Sequence, residues 1–217
     1  MLYIVATPIG NLKDITLRAI EVLKNVDLIA CEDTRHSRIL LKAYDINTPT
    51  TSYYQHNRFR KAKYLLKKLK DNADIALISD AGTPGILDPG YHLINLAIQN
   101  NIPITAIPGP TALIMALVLS GKPTHRFIFE GFLSNKSISR RKRLQELKKL
   151  DCTIIFYESP HRILATLSDI QDIFGDIYLV VMRELTKKFE ETIRSKVSQI
   201  REHLTKARPR GEFVVVV

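Results

Sequence analysis

The stretch that decides the fold is IALISDAGTPGILDPGYHLINLAIQNNIPITAIPGPTA, residues 75 to 112. Two apolar runs, Ile75 to Ile78 and Ile102 to Ile107, each end in a loop built from glycine and proline. The first loop is Ser79-Asp80-Ala81-Gly82-Thr83-Pro84-Gly85, and the second is Pro108-Gly109-Pro110-Thr111-Ala112. Between them, Tyr91 to Asn100 carries Leu93, Ile94, Ala97 and Ile98 on one helical stripe. Strand, loop, helix, strand, loop, helix is the order of a βαβ unit in a parallel sheet, so the fold class is α/β. In open parallel sheets, ligands bind outside the carboxyl ends of the strands, and both loops fall there. Their glycines let a small molecule approach backbone, and their prolines stiffen the turn. Neither loop is a dinucleotide fingerprint, and the chain has no phosphate-binding GxxxxGK[ST] loop.

Working outward, 217 residues with 45% hydrophobic and 25% charged content suit a globular protein of one large or two small domains. The start, Met1-Leu2-Tyr3-Ile4-Val5, reads as a short strand without the basic and apolar regions of a leader. No apolar run reaches the ~18 residues of a membrane span. Cys31 and Cys152 stand alone, without the spacing of a zinc site or a disulfide framework. A cytoplasmic protein without membrane or metal partners is expected.

The net charge of +10 points to a polyanionic partner such as nucleic acid. It is concentrated in RFRKAKYLLKKLK, residues 58 to 70, with seven cations and no acid, and KSISRRKRLQELKK, residues 136 to 149, with seven cations against Glu146. Both read as helices, and the second is the favoured phosphate-backbone contact.

Along the rest of the chain, Leu2 to Ala6 is a strand leading into TPIGNLKD, with a helix capped by Asp14 or Thr16 running to about Asn25. Asp27 to Cys31 is a second strand, followed by EDTRHSR and a helix from Ile39 to Tyr44; Thr50 to Tyr54 is a third. Leu113 to Ser120 is an apolar helix, and a domain boundary is expected after it, giving domains 1–120 and 121–217. Strands follow at 125–132, 153–157, 177–182 and 212–217, with helices over the second basic cluster, 163–174 and 195–206.

Six motifs in order, TPIGNLKD, CEDTRHS, SDAGTPGILDPG, IPGPTA, FYESPHR and RELTKKFEE, resemble the tetrapyrrole-methylase superfamily of S-adenosylmethionine (SAM) dependent methyltransferases. Within it they are most similar to the branch that 2′-O-methylates a decoding-site cytidine of 16S ribosomal RNA. The resemblance implies two α/β domains with SAM in the cleft between them, a homodimer, and 16S ribosomal RNA or the small ribosomal subunit as substrate. It implies that Pro8, Asp80, Ala81, Gly82, Thr83, Thr111, Ala112, Tyr157, Leu185 and Thr186 contact the cofactor. Where the tetrapyrrole enzymes often read GDP in the central loop, this chain reads Gly82-Thr83-Pro84, with the acid displaced to Asp80. Such proteins usually carry several dozen residues beyond the segment RGEFVVVV.

Methyl transfer from a sulfonium mainly requires alignment of acceptor, methyl carbon and sulfur. A ribose hydroxyl also needs a base or a hydrogen-bond acceptor for its proton. CEDTRHS and FYESPHR supply the candidates: Asp33 as acceptor or as brace for Arg35, Glu158 as an alternative base, and His36 and His161 as weaker ones. Of the neighbours Glu32 and Asp33, strand alternation lets only one face the site. Local sequence also suits Asp33 to capping a helix. Arg38, Arg140, Arg141, Arg143 and Arg162 are the candidate RNA phosphate contacts. Two other readings stand beside this one: a methyltransferase of a tetrapyrrole or corrin precursor, whose carboxylates also suit a basic cleft, and a non-catalytic RNA-binding protein on the same fold.

Overall fold

The computed structural model describes residues 1–217, which divide into two units, Met1–Thr111 and Ala112–Val217. In the first unit the chain alternates β1 (Leu2–Val5), α1 (Leu17–Asn25), β2 (Leu28–Cys31), α2 (Thr34–Ala43), β3 (Thr50–Ser52), α3 (Arg58–Lys70), β4 (Ile75–Leu77), α4 (Gly90–Gln99) and β5 (Ile104–Ile107). The strands form one parallel sheet in the order β3-β2-β4-β1-β5. Period two assigns the faces. Leu2, Ile4, Leu28, Ala30, Ile75 and Leu77 pack with Leu65 and Leu69 of α3 and Leu93 and Ala97 of α4. Val5, Ile29, Cys31, Ala76 and Ile78 pack with Ala19 and Leu23 of α1 and Leu40 and Leu41 of α2. Helices on both faces are why these strands read as unbroken apolar runs.

Two features of this unit depart from the sequence reading. The strands that carry the two loops are not neighbours, because β1 lies between β4 and β5 and pairs with both. Periodicity fixes which face a side chain takes, and it leaves the lateral order of strands open. Helix α2 begins at Thr34, earlier than Ile39, because Asp33 caps it: the backbone N–H of Arg35 donates to Asp33 Oδ1 at 2.8 Å. Thr16 caps α1 as expected, with the Ala19 N–H donating to its hydroxyl oxygen at 3.1 Å.

The second unit holds α5 (Ala112–Ser120), β6 (Phe127–Phe132), α6 (Ser137–Leu147), β7 (Thr153–Glu158), α7 (Ile163–Phe174), β8 (Tyr178–Arg183), β9 (Glu191–Lys196), α8 (Val197–Ala207) and β10 (Phe213–Val216). Its sheet is mixed, in the order β6-β7-β10-β8-β9. Leu144 and Leu147 of α6, Leu167 and Ile170 of α7, and Ile200 and Leu204 of α8 cover Phe156, Val181, Phe213 and Val215. Helix α5 packs on β10 and β7. For that reason the chain divides at Thr111/Ala112, ahead of the expected 120/121, and the apolar helix goes with the second unit. Strand β9 was not foreseen. ETIRSK pairs only with β8 at the sheet edge and brings one large apolar side chain, Ile193, to the core, so it lacks an apolar strand signature. No helix is long and apolar enough to cross a membrane.

Candidate cofactor and catalytic site

At the carboxyl edge of the first sheet, four corners are tied into one structure. Thr7, after β1, and Gly82, after β4, exchange backbone hydrogen bonds: the Thr7 N–H donates to Gly82 O at 2.9 Å and the Gly82 N–H to Thr7 O at 3.0 Å. The Thr7 hydroxyl donates to Ser79 O at 3.1 Å, and the Ser79 hydroxyl to Gly82 O at 3.2 Å. The Thr83 hydroxyl donates to Pro110 O at 3.3 Å, which joins the corner after β4 to the corner after β5. The Asp33 N–H donates to Asp80 Oδ1 at 3.1 Å, which joins the corner after β2. The two Gly/Pro loops therefore meet across the end of β1, although their strands do not touch.

The glycines serve this knitting. Gly82 has φ +84°, and a Cβ there would sit 3.5 Å from Ile9 Cγ2, an ordinary contact. The requirement for glycine at 82 is one of backbone conformation. At Gly109 a Cβ would approach the Ala6 side chain to 2.9 Å, so this glycine lets the β5 corner close on β1. Gly82 thus answers to backbone conformation and Gly109 to the close approach of Ala6. Of the cofactor candidates here, Pro8 and Gly82 are buried, Asp80, Thr83 and Thr111 are half-buried, Ala81 is exposed, and Ala112 opens α5.

Acids gather beside the corners. Burial pushes the Glu32 carboxyl above its ordinary value, and the charges of Asp80 and Asp88 add to that. Burial also raises Asp88, against the pull of the Gly85 and Gly90 N–H groups that donate to its Oδ1 at 2.8 and 2.7 Å. Asp33 behaves oppositely: its hydrogen bonds with the exposed Arg35 side chain, at 3.2 and 2.8 Å, hold its pKa down to about 2. Asp33 is thus a helix cap and a brace for Arg35, and at so low a pKa it is a weak base. Sequence reasoning weighed Glu32 only as the alternative to Asp33 and did not single out Asp88. The signal for Glu32 was present, because β2 alternates Leu28 and Ala30 toward α3 and α4, and Glu32 continues that side.

The family described as tetrapyrrole (corrin/porphyrin) methylases matches residues 1–201. The chain belongs to the tetrapyrrole (corrin/porphyrin) methylase family. A Synechocystis sp. protein named ribosomal RNA small subunit methyltransferase I is 51% identical over 100% of this chain and 78% of its own length. One of the same name from Thermotoga maritima is 46% identical over 100% of this chain and 97% of its own length. Among solved structures, a cobalt precorrin-4 methyltransferase superposes with TM-score 0.72 at 16% identity, covering 99% of this chain and 93% of that one. A Thermus thermophilus uroporphyrin-III C-methyltransferase complexed with S-adenosyl homocysteine gives 0.68 at 16% identity, covering 99% and 96%.

In the second unit of this tetrapyrrole methylase, β7 and β8 both run antiparallel to β10, so their carboxyl ends share one edge of the sheet. Tyr157 lies there with its ring 4.9 Å from Phe129 and 5.8 Å from Phe132, and burial raises its hydroxyl pKa. Leu185 is buried. Thr186 has φ +65°, and its buried hydroxyl oxygen has no partner within the protein.

Several sequence candidates of this unit are already engaged by the protein itself. Glu158 is buried with both oxygens taken: Oε1 accepts from the Ser159 N–H and Arg162 Nε, both at 2.8 Å, and Oε2 from the Thr166 hydroxyl at 2.7 Å. It is the brace of Arg162 rather than a free base. Arg162 also donates to Leu133 O at 3.3 Å, which leaves it little capacity for phosphate. Arg140 is 4% exposed and bound to Asp169 at 2.7 Å, so it is a core ion pair and not an RNA contact. Arg141 pairs with Asp169 and Asp172 at 2.9 and 2.6 Å, and Arg143 with Glu130 and Glu146 at 2.5 and 2.9 Å. These arginines run along α6 as a positive sequence, but acids on β6, α6 and α7 neutralise them. Arg38 alone among the RNA candidates is exposed on α2 without an ion-pair partner.

Proposed function

We propose that the protein is a SAM-dependent methyltransferase of small-subunit ribosomal RNA, acting in the cytoplasm on the ribose 2′-oxygen of a cytidine in the decoding region of 16S RNA. The observation that carries this reading is the 44–51% identity, over all of this chain, to curated proteins named ribosomal RNA small subunit methyltransferase I. The residues present suit SAM. A sulfonium and an ammonium group are both cationic, and the corner edge holds the carboxylates Asp80 and Asp88, whose charges both act on Glu32. The corner residues Pro8, Asp80, Ala81, Gly82, Thr83 and Thr111 would hold it, and Ala112, Tyr157 and Leu185 are carried forward on the resemblance. Thr186 is a further contact, on the ground that its buried hydroxyl lacks a partner.

When bound, SAM supplies an already activated methyl group. The protein's own task is then to orient the ribose hydroxyl and to take its proton. Glu32 suits the second part better than Asp33, because its raised pKa brings it nearer the working pH. Arg35, braced by Asp33, is 87% exposed and suited to a substrate phosphate, as is Arg38. A homodimer is carried forward on one observation, the exposed apolar residues Met115, Val118 and Leu119 of α5.

The test is methyl transfer from labelled SAM to small ribosomal subunits and to naked 16S RNA, followed by mapping of 2′-O-methyl groups. Label on a single decoding-region ribose is the expected result. Label on a base, or only on a corrin or porphyrin precursor, overturns the proposal.

A further inference from the structure

The two basic segments, alike in sequence, differ in three dimensions. The arginines of α6 are consumed by acids, whereas no carboxylate lies within ion-pair distance of any of the seven cations of α3. Ala62, Leu65 and Leu69 turn inward, which leaves Arg60, Lys63, Lys67 and Lys70 exposed on one stripe. At 1.5 Å per residue this stripe is about 15 Å long. Like charges three and four residues apart destabilise a helix, so the arrangement works against folding and calls for a partner.

The helix also starts in a telling place. β3 runs parallel to β2, so the loop Tyr53–Asn57 and the first turn of α3 emerge at the same sheet edge as the four corners. The buried Tyr53 ties that loop to the Asp88-Pro89-Gly90 turn, its hydroxyl donating to Pro89 O at 3.1 Å. Around it stand aromatic rings that the core does not use. Phe59 is 59% and Tyr54 39% exposed. Phe59 sits edge-on to His92 at 4.8 Å, with the Arg58 guanidinium over its ring, and Tyr54 sits edge-on to His56 at 6.2 Å. A cationic track with exposed rings at one end matches a single-stranded nucleic acid, in which phosphates meet cations and unpaired bases stack on aromatics.

We propose that α3 and its leading loop form the track for the RNA substrate. Phosphates of a single-stranded segment lie along Arg60, Lys63, Lys67 and Lys70, and unpaired bases stack on Phe59 and Tyr54. This rests on the RNA methyltransferase reading above and replaces α6 as the RNA surface.

The test uses the full chain and a fluorescein-labelled single-stranded RNA of decoding-region sequence, with anisotropy measured over a range of KCl concentrations. Replacing Arg60, Lys63 and Lys67 together by Gln lowers the slope of log affinity against log salt by about 2, from roughly 0.7 per single-strand phosphate contact. Phe59→Ala weakens binding with the slope unchanged. Calorimetric SAM affinity stays at the wild-type value in both. Should the triple variant melt early, Lys63→Gln alone, with a slope change of about 0.7, takes its place. A wild-type slope in the charge variants overturns the track while leaving the methyltransferase reading intact. Equal binding of duplex RNA, together with no effect of Phe59→Ala, overturns the single-strand assignment. Failure of the wild-type protein to bind or methylate any RNA overturns the methyltransferase reading itself.

Discussion

Gly82 joins what the sequence shows and what it conceals. SDAGTPG was legible as a ligand-side loop, but the reason for its glycine was not, since a left-handed φ of +84° leaves no mark of its own in the residue string. A β-branched residue there is strained by ~1–3 kcal/mol. We expect Gly82→Val to lower the melting temperature and to weaken SAM binding at least tenfold by shifting the Thr7–Thr83 corner. Calorimetry checks this, and wild-type affinity in a folded variant removes the corner from the cofactor site. Glu32 makes the second case. Its folded pKa is raised, so the fold favours the protonated acid; that contribution is full below the unfolded pKa and is lost as pH rises through the folded value. Glu32→Gln is therefore expected to be more stable than wild type at neutral pH, with the gain fading below about pH 4. If Glu32 takes the ribose proton, the same change lowers kcat by ~10²–10⁴ and removes the acid limb of the kcat/KM profile. A Gln variant that keeps both the rate and the limb leaves proton removal to another group.

Elements were readable where one pattern dominated and misread where two competed. The parallel strands announced themselves because both faces are covered, and α1 because Thr16 caps an apolar stripe. Strand β9 stayed hidden since an edge strand needs few apolar residues, and α2 began early because its cap outweighed the polar run EDTRHSR. Helix α6 is the sharpest case: its run of arginines reads as a phosphate-backbone contact, yet Arg140 is a core residue clamped to Asp169 of α7 and to the carbonyls of Ser134 and Asn135. Its carboxylate partner lies 29 positions away, outside any local window. Arg140→Ala leaves Asp169 buried with one partner fewer and is expected to cost about 3–5 kcal/mol in denaturant unfolding. Its effect on the salt slope of RNA binding is expected to be nil. A stable variant with a flattened slope makes Arg140 an RNA contact after all.

For the molecule as a whole, the net charge of +10 pointed to a polyanionic partner, but composition does not tell a neutralised helix from a free one. The order of the motifs carried the family, while the acids near the corners and the partners of each arginine required coordinates. If the corners hold SAM, ligand binding must stabilise the fold by mass action. At a hundred times its Kd the ligand adds about 2.7 kcal/mol, which for a chain of this size raises Tm by roughly 5–11 °C. Hydrogen exchange then locates the effect. Amides of residues 78–85 and 107–111 are expected to slow on adding SAM, because these corners already share hydrogen bonds and gain from being clamped together. Those of α3 are expected to respond to single-stranded RNA and not to SAM. Protection that misses the corners while Tm still rises would move the cofactor elsewhere, and with it the argument that Glu32, Asp80 and Asp88 are gathered to face a cation.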